Sequence, residues 1–433
     1  MATSAASGPD EPVAGASPPG FLRRTLSSLH SRNFRLFFIG QTISNTGNWL
    51  TMVALTLLVL HRTGSGVAVG VMAACQFGPI LVLSAFAGVV VDRTDKRRLL
   101  FITQGVEMAQ SFVLAALAFV PDAPLGGFYA VAVVGGVALA FDNPVRRTFV
   151  NEMVPARDVP NAVTLYSAIV NISRIVGPAL AGALVVTVGY GWAFTIDALS
   201  YVAVLVALAM MRPAELRRIP VAPRAKGQVR AGLRYVVHVP DLAATFLMLL
   251  IIGTLSYNNT VVFPLFVEHG LGGDDGAFTL VYAIYSVGSV IGAVIVARRT
   301  TVTVRTVVVG ALWLGITTSA LATVPNVAAA AVVALAMGVA SVAYLTATTA
   351  LAQLVTEPQM VGRVLALQTV LLVGTTPIGG PLLGSMADAF GSRSVVVLGG
   401  IAALVAAGVG LLAVRRDRDR DGASGTPDAP VAA

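Results

Sequence analysis

The sequence predicts an all-α integral membrane protein with twelve transmembrane helices in two pseudo-symmetric six-helix bundles. Three observations predict this fold. The 433-residue chain is 56% hydrophobic and only 12% charged, which is too apolar for a protein whose whole surface meets water. Its apolar residues form continuous runs of the ~20 residues that a helix needs to cross a bilayer, without the alternation of β-barrel strands. Most of its cations, 26 of 29, lie in the tails and in every second loop.

The chain divides into two tails, two bundles and a linker. Residues 1–20, rich in Ala, Gly, Pro and Ser, predict a disordered tail. The following Phe21–Arg35 has four Arg among apolar residues, which is typical of a short interfacial helix. The predicted domains are an N-terminal bundle over 21–211, a basic cytoplasmic linker over 212–241, a C-terminal bundle over 242–414 and a disordered tail over 415–433. The predicted spans are Leu36–Leu60, Val67–Val91, Leu99–Val120, Leu125–Val145, Ala162–Val188, Trp192–Met211, Leu242–Val267, Ala277–Ala297, Thr306–Val324, Val327–Ala350, Val364–Ala387 and Ser394–Val414.

The distribution of Lys and Arg predicts the orientation. If both termini are cytoplasmic, 26 of the 29 cations lie on the cytoplasmic side, as the positive-inside rule requires. The outer loops hold Arg62 and Arg393, and Arg174 lies within a span. The net charge of +8 therefore faces anionic lipid headgroups rather than nucleic acid. We expect a multi-pass protein of the plasma membrane.

A weak internal repeat supports two related halves. Gly177-Pro178 recurs 203 residues later as Gly380-Pro381, and Pro155 recurs at the same offset as Pro358. Two parallel six-helix halves are typical of secondary transporters, in which the substrate path runs between the halves.

The most charged stretch of the chain is Asp92–Arg98, directly after the second span, with four cations and two carboxylates in seven residues. Asp92 can hydrogen-bond the N-terminus of a neighbouring helix or pair with Arg146 or Arg147. Such contacts would form a cytoplasmic latch between conformations, whereas the alternative is a loop that only fixes the orientation. The candidate latch residues are Gly88, Asp92, Arg93, Lys96, Arg97, Arg98, Arg146 and Arg147.

Few ionisable residues lie at mid-depth. A charge there costs ~2.5–3.5 kcal/mol or more unless it is paired or hydrated, so Glu107 and Arg174 are candidates for function. Glu107 can bind and release a proton, with Arg174 changing its proton affinity or contacting an anionic substrate, and Asp142 is a second proton-coupling candidate. The alternative is a fixed structural ion pair or a snorkelled side chain. Asp197 and Asp388 lie nearer the outer ends, where we expect water to solvate them.

Amide and aromatic side chains near mid-depth predict a cavity for amphipathic organic molecules. The alternative is that several of them satisfy one another between helices. The candidate cavity residues are Gln41, Asn45, Asn48 and Trp49 in the first half and Tyr257, Asn258 and Gln368 in the second.

Several motifs occur in the order found in a known family. The pattern Gly88-x-x-x-Asp92-Arg93-x-x-Lys96-Arg97-Arg98 resembles the signature loop of the major facilitator superfamily. Gly177-Pro178-x-x-Ala181-Gly182 is similar to the superfamily's antiporter motif, although small-residue packing alone is an alternative. The first span, from Gln41 to Trp49, and Asn143-Pro144-x-Arg146-Arg147 resemble the enterobactin-exporter and macrolide-efflux branch.

The resemblance implies a secondary active transporter that works by alternating access. It implies a proton-coupled exporter of an amphipathic drug, antibiotic or siderophore, functioning as a monomer without a cofactor. Three residues depart from the family pattern: Asp95 and Ser173 replace glycines, and Asn48 replaces an Asp that would carry a proton in relatives. Coupling must then use another acid, such as Glu107, or no proton.

The alternatives are another type of transporter, a membrane enzyme and a non-transporting scaffold. A facilitator or importer of a small solute fits the same architecture. A polytopic membrane enzyme could use Asp92 and Asp95 in metal–diphosphate chemistry, but four adjacent cations compete for those acids, and no deep His/Asp cluster predicts a metal site. We therefore expect a transporter rather than an enzyme, with no metal. Primary transport is disfavoured, since the sequence has no ATP-binding Gly-x-x-x-x-Gly-Lys-Ser/Thr loop.

Overall fold

The helices follow the predicted spans. A computed structural model describes residues 26–217, 228–299 and 301–423, so the tail 1–20, the linker centre 218–227 and the terminal 424–433 lie outside the described residues. Within those ranges twelve segments are long and apolar enough to cross a membrane, and no strand occurs. The spans, in order, are Arg32–Thr63, Gly66–Arg93, Lys96–Phe119, Leu125–Val150, Val159–Val188, Tyr190–Met210, Pro240–Gly270, Asp275–Ala297, Val304–Thr323, Val327–Val355, Val361–Phe390 and Ser392–Ala423. This confirms the predicted fold class.

The segment before the first span differs from the predicted interfacial helix. Its described part is a short 3₁₀ turn, Ser27–His30, and the first span already begins at Arg32. Ser31 between them is extended, and its hydroxyl donates to the carbonyl of Met153 at 2.5 Å. The backbone N–H of Ser28 donates to Asn161 at 3.2 Å. These bonds to the entrance of the fifth span hold the segment in a turn.

The last span differs from prediction at its end. Its helix continues to Ala423, so residues 415–423 of the predicted disordered tail are helical. The sequence from Leu411 to Asp421 contains neither Gly nor Pro, and nothing in its composition forces the helix to end at the edge of the membrane.

The first six spans form one half of the molecule, the N-half, and the last six form the C-half. We call the end that carries Asp92–Arg98 the basic face, and the opposite end the far face. Near the basic face each half has its own apolar cluster, around Phe34 and Phe149 in the N-half and around Phe246 and Val364 in the C-half. A third cluster contains buried residues from both halves, and its N-half members lie in the far-face parts of their spans. The halves therefore share an apolar core, and the N-half contributes to it at the far face.

Polar and backbone contacts join the halves at the same face. The carboxylate of Asp388, in the eleventh span, accepts hydrogen bonds from the N–H groups of Gly66 and Val67 at 2.6 and 3.0 Å and from the Ser65 hydroxyl at 2.8 Å. A Cβ on Gly66 would lie 2.6 Å from the carbonyl oxygen of Gly384, so only glycine allows this approach. Asp388 is exposed, as predicted for an outer position, yet it caps a helix of the other half.

Two spans of the C-half are interrupted near mid-depth. The seventh span breaks at Ser256–Asn258, and the side-chain amide of Asn258 donates to the Thr254 carbonyl at 2.8 Å and the Gly253 carbonyl at 3.3 Å. These carbonyls lie in the last turn before the break, where the helix leaves acceptors unpaired. The eleventh span breaks at Gly374 and Thr375. Non-helical backbone at this depth is tolerated where it is buried in protein or lines a cavity.

Candidate functional site

The charged loop binds together the ends of several N-half spans. Asp95 caps the third span by accepting from the N–H of Arg98 at 3.0 Å. Lys96 forms an ion pair with Glu152, after the fourth span, at 2.5 Å. Arg97 donates to the carbonyls of Leu208 and Ala209 at 2.8 and 3.2 Å. The loop thus ties together spans three, four and six, while the side chains of Arg93, Arg98 and Arg147 are exposed.

Arg146, predicted as a latch residue, lies instead in a buried ionic cluster. Its side chain is 2% exposed. Its Nε pairs with Asp142 one helical turn earlier, its Nη1 donates to Asn45 at 2.6 Å, and its Nη2 donates to Glu107 at 3.2 Å. A guanidinium with two carboxylate partners at this depth is stabilised far better here than at a lipid-facing position. The Arg four residues after Asp142 is on the same helical face, which brings the pair together.

The two carboxylates of this cluster are further held by neutral donors. Gln104 donates to both, at 3.1 Å to Glu107 and 2.8 Å to Asp142. Thr103 also donates to Asp142, at 2.7 Å. The second oxygen of Glu107, Oε1, is buried without a hydrogen-bond partner. The cation beside Glu107 is therefore Arg146, and not Arg174, which the sequence had suggested as the residue that changes its proton affinity.

Asp197 is a second buried acid of the N-half. The expectation that water solvates it is wrong, because it is 0% exposed. Its Oδ2 accepts from the hydroxyls of Thr51 and Ser111 at 2.6 and 2.7 Å. Gly47 of the first span makes room for it, since a Cβ there would lie 2.3 Å from the Asp197 Oδ1. The helical register explains the burial: the outer position of Asp197 faces neighbouring spans rather than water.

A cavity of about 60 Å³ lies between these acids inside the N-half. Glu107 and Asp197 line it together with Asn48, whose amide donates to the hydroxyl of Tyr201 at 3.4 Å. The other polar lining residues are Thr51, Gln76, Gln110 and Ser111. The cavity is large enough for a few water molecules beside the buried carboxylates.

Arg174 occupies a different place, at the interface between the halves. Its guanidinium lies 5.3 Å from the centre of the Trp49 ring, a distance typical of a cation–π contact. Its backbone carbonyl accepts from Ser286 of the eighth span at 3.5 Å. Its Nε is buried without a hydrogen-bond partner. Arg174 and Trp49, predicted for different roles, therefore form one unit.

The predicted cavity residues of the C-half and their polar neighbours near mid-depth are neutral, and they mostly satisfy one another. The hydroxyl of Tyr257 donates to the carbonyl of Ser341. Tyr285 is bonded to Ser341 Oγ at 2.8 Å and accepts from Asn259 at 2.8 Å. Gln368 donates to Thr349 at 2.8 Å. Together with Asn258 at the helix break, these contacts favour the structural alternative for several predicted cavity residues.

Two further predicted cavity residues, Gln41 and Asn45, belong to the ionic cluster. Gln41 is 0% exposed and receives a long hydrogen bond of 3.5 Å from Asn45, which also accepts from Arg146. They hold Arg146 in place and do not face the interface between the halves as Trp49 does.

The antiporter-type motif places small residues between two helices. A Cβ on Gly177 would lie 2.4 Å from the Cβ of Trp49 in the first span, and one on Gly182 would lie 1.8 Å from Thr279 in the eighth. Pro178 and Ala181 between them are buried. The motif therefore packs the fifth span tightly against both the N-half and the C-half.

Sequence reasoning missed several residues that the structure brings into the site. Gln104 and Thr103 carry no charge, so only their position one turn before Glu107 pointed to the cluster. Ser341 and Asn259 join the tyrosines through contacts between spans seven, eight and ten that no local pattern reveals. Asp197 is recognisable in the sequence as an acid inside an apolar run. It lies about one helical turn before Tyr201 and shares a face of the sixth span with that aromatic residue, which indicates burial.

Comparisons with known proteins identify the family. A family model described as "Transmembrane secretion effector" matches residues 23–429. The chain is 25% identical to the staphyloferrin A transporter of Staphylococcus aureus, over 61% of this chain and 66% of that protein. It is 24% identical to the multidrug efflux pump Tap of Mycolicibacterium fortuitum, over 82% of this chain and 89% of that pump. It is 23% identical to macrolide efflux protein A of Streptococcus pyogenes, over 85% of this chain and 92% of that protein.

Solved structures show the same fold. An inward-facing, unoccupied bacterial homologue of the human lysosomal transporter Spinster superposes with a TM-score of 0.71 at 15% identity, covering 88% of this chain and 97% of that one. The peptide-transporter-family protein PepTSo superposes with a TM-score of 0.74 at 11% identity, covering 90% and 99%. These findings indicate a multi-pass membrane transporter. The chain belongs to the major facilitator superfamily of transporters, in the family of transmembrane secretion effectors.

Proposed function

We propose that this transporter exports an amphipathic small molecule from the cytoplasm in exchange for protons, acting as a monomer. The observation that carries the proton coupling is the cluster in which Glu107 and Asp142 share the guanidinium of Arg146. Two buried carboxylates and one cation leave a surplus of negative charge, which a proton on Glu107 neutralises at low cost. Its unpartnered Oε1 beside the cavity is the atom that accepts this proton.

We infer the direction of transport from the orientation of the protein in the membrane and from the names of its relatives. We place the basic face in the cytoplasm, because the sequence assigns 26 of the 29 cations to the tails, loops and span ends of that side. With the halves sharing a core at the far face, the described arrangement then represents the inward-open state, which loads substrate from the cytoplasm. The names of the relatives, an efflux pump and a macrolide efflux protein, favour export. The loop Asp92–Arg98 would then act as the cytoplasmic latch.

The test is substrate accumulation in cells that express the protein. A panel of fluorescent amphipathic probes, with anionic, neutral and cationic members, is followed with and without a protonophore. We expect at least one probe to accumulate less in expressing cells, and the protonophore to abolish the difference. Increased accumulation would instead identify an importer and contradict the proposal.

The variant Glu107→Gln separates coupling from binding. It keeps the size and most hydrogen bonds of the side chain but cannot exchange a proton, so we expect efflux to become independent of the pH gradient. Glu268→Gln is the matched control, because Glu268 lies outside the cluster beside His269. Efflux by the Glu107→Gln variant that still follows the pH gradient would move the proton site elsewhere, with Asp142 next.

A further inference from the structure

Arg174 is a cation near mid-depth without an anionic partner. It lies near the middle of the fifth span, Val159–Val188, and its side chain is half-buried. Within the described part of the chain no carboxylate pairs with it. Glu107 and Asp142 pair with Arg146, and Asp197 is held by hydroxyl groups. A guanidinium at this depth is costly without an anion or water, so the site is incomplete in the protein alone.

The surroundings of Arg174 are aromatic. One face of the guanidinium lies over Trp49, and the backbone carbonyl of Arg174 accepts from Ser286, which follows Tyr285 in the eighth span, across the interface. Tyr257 and Tyr285 are fixed by Ser341, and the ring of Tyr282 packs against that of Tyr285 with centroids 6.0 Å apart. Trp49 of the N-half and these three tyrosines of the C-half, which we call the aromatic wall, therefore lie on the two sides of the interface at the depth of Arg174.

We infer that Arg174 and Trp49 form a subsite for the anionic group of the transported molecule, and that its carboxylate or similar oxyanion binds the free N–H groups of the guanidinium. A planar guanidinium matches a carboxylate in two parallel hydrogen bonds. The apolar or aromatic body of the molecule then lies against Tyr257, Tyr282 and Tyr285. This inference rests on the proposed transport function and narrows its substrate class to amphipathic anions.

The position of the subsite fits alternating access. Trp49 and Arg174 belong to the N-half, and the tyrosines belong to the C-half next to the break in the seventh span. Substrate sites of such transporters lie near mid-depth between the halves, beside discontinuous helices. A cationic substrate would meet repulsion from Arg174, and the face of Trp49 that would attract it already carries the guanidinium. The charge of Arg174 therefore selects against cations.

An equilibrium binding experiment on the purified full-length protein tests the inference. Trp192→Phe and Trp313→Phe leave Trp49 as the remaining one of the three tryptophans, and energy transfer from Trp49 reports bound dansyl probes. Dansylglycine carries a carboxylate, and dansylglycinamide is its uncharged analogue of nearly equal shape. We expect dansylglycine to bind about tenfold more tightly, as a charge-assisted hydrogen bond implies. Arg174→Gln should reduce this ratio to about one, and Arg174→Lys should keep part of it.

Controls separate charge recognition from damage to the fold. Dansylglycinamide must still bind to the Arg174→Gln protein, which shows that the aromatic wall is intact. Arg62→Gln removes another arginine that lies over an aromatic ring, that of Phe128 at 5.1 Å, but at the far face, so it should leave the ratio unchanged. Equal affinity for the two probes, no binding of either, or a preference that survives Arg174→Gln would overturn the inference.

The experiment also separates this inference from the proposed function. Binding is measured without a pH gradient, so it does not depend on Glu107 or on export. A carboxylate preference in a protein that fails to export would contradict the proposed function and support the anion subsite. Proton-driven export of neutral or cationic probes, with no carboxylate preference, would contradict the subsite and support the proposed function.

Discussion

The two halves stabilise polar groups in the membrane in different ways. In the N-half, Glu107, Asp142, Arg146 and Asp197 are all buried, and three of them form a connected ionic cluster. In the described part of the C-half, buried polar residues are neutral apart from Asp275 at the start of the eighth span. Its tyrosines, amides and hydroxyls bond to one another, as Tyr285 does with Asn259 and Ser341.

This difference suggests that the two halves have different roles in transport. Removal of one partner from a buried ion pair strongly destabilises the folded protein, whereas a neutral hydrogen bond contributes only about 1 kcal/mol to the free energy of unfolding. On the proposed function, protonation of an N-half carboxylate would change the local energy enough to drive a conformational change, whereas rearrangement of C-half hydroxyls would not. The N-half is suited to proton coupling and the C-half to contacts with the body of an organic substrate.

The largest expected effect comes from removal of the cluster's cation. Arg146→Met should leave Glu107 and Asp142 buried without their partner, which costs about 3–5 kcal/mol. We expect a large fall in the thermal unfolding temperature of the detergent-purified protein. Arg147→Met is the matched control, because the neighbouring Arg147 is exposed, and it should change stability by less than about 0.5 kcal/mol.

A second variant tests the charge explanation directly. Adding Glu107→Gln and Asp142→Asn to Arg146→Met removes the uncompensated charges, so it should recover part of the lost stability. If the triple variant is no more stable than Arg146→Met, packing rather than charge explains the effect, and the contrast between the halves is weaker than proposed.

The sequence was sufficient for the fold and the family. Twelve apolar runs and the motifs around Gly88 and Gly177 are local signals, and a bilayer leaves little choice but helices for such runs. The ends of helices were less predictable. The turn at Ser27–His30 depends on contacts of Ser28 and Ser31 with residues more than a hundred positions away, and no local pattern encodes them.

The sequence predicted several residues of the site, but it did not predict which of them contact one another. Glu107, Asp142 and Arg174 stood out because charges are rare inside spans. Arg146 did not, because its position near the end of the fourth span suggested a surface role. Only the rotation of that helix, which turns Arg146 inward and Arg147 outward, decides which arginine enters the cluster. Helix rotation depends on packing against neighbours, and a single sequence does not supply it.

A smaller effect is expected from the C-half. Tyr285→Phe removes a hydroxyl that bonds to Ser341 and Asn259, and we expect a loss of about 1 kcal/mol in the free energy of unfolding. Tyr282→Phe is the control, since the Tyr282 hydroxyl has no hydrogen-bond partner among the described residues, and it should be nearly neutral. Urea unfolding followed by tryptophan fluorescence measures both. A loss for Tyr285→Phe as large as that for Arg146→Met would abolish the contrast between the halves.

The smallest expected effect concerns the contact between the halves at the far face. Asp388→Asn should weaken the three hydrogen bonds that the carboxylate accepts from Ser65, Gly66 and Val67. Asp388 is exposed, so we expect little change in stability but an approximately fivefold increase in the population that is open at the far face, equivalent to ~1 kcal/mol. Distances between spin labels at Val188 and Phe390, at the far ends of the two halves, measure this population in a Cys75→Ala background.

Asp274→Asn provides the matched control for this experiment. Asp274 is also a far-face carboxylate that caps a helix, accepting from the N–H of Ala277 at 2.8 Å, but both residues lie in the C-half. Its replacement should leave the distance distribution between Val188 and Phe390 unchanged. A longer distance in both variants would mean that weakened helix capping opens the far face in general. A longer distance in Asp388→Asn alone identifies the Asp388 bonds as a contact that holds the two halves together at the far face.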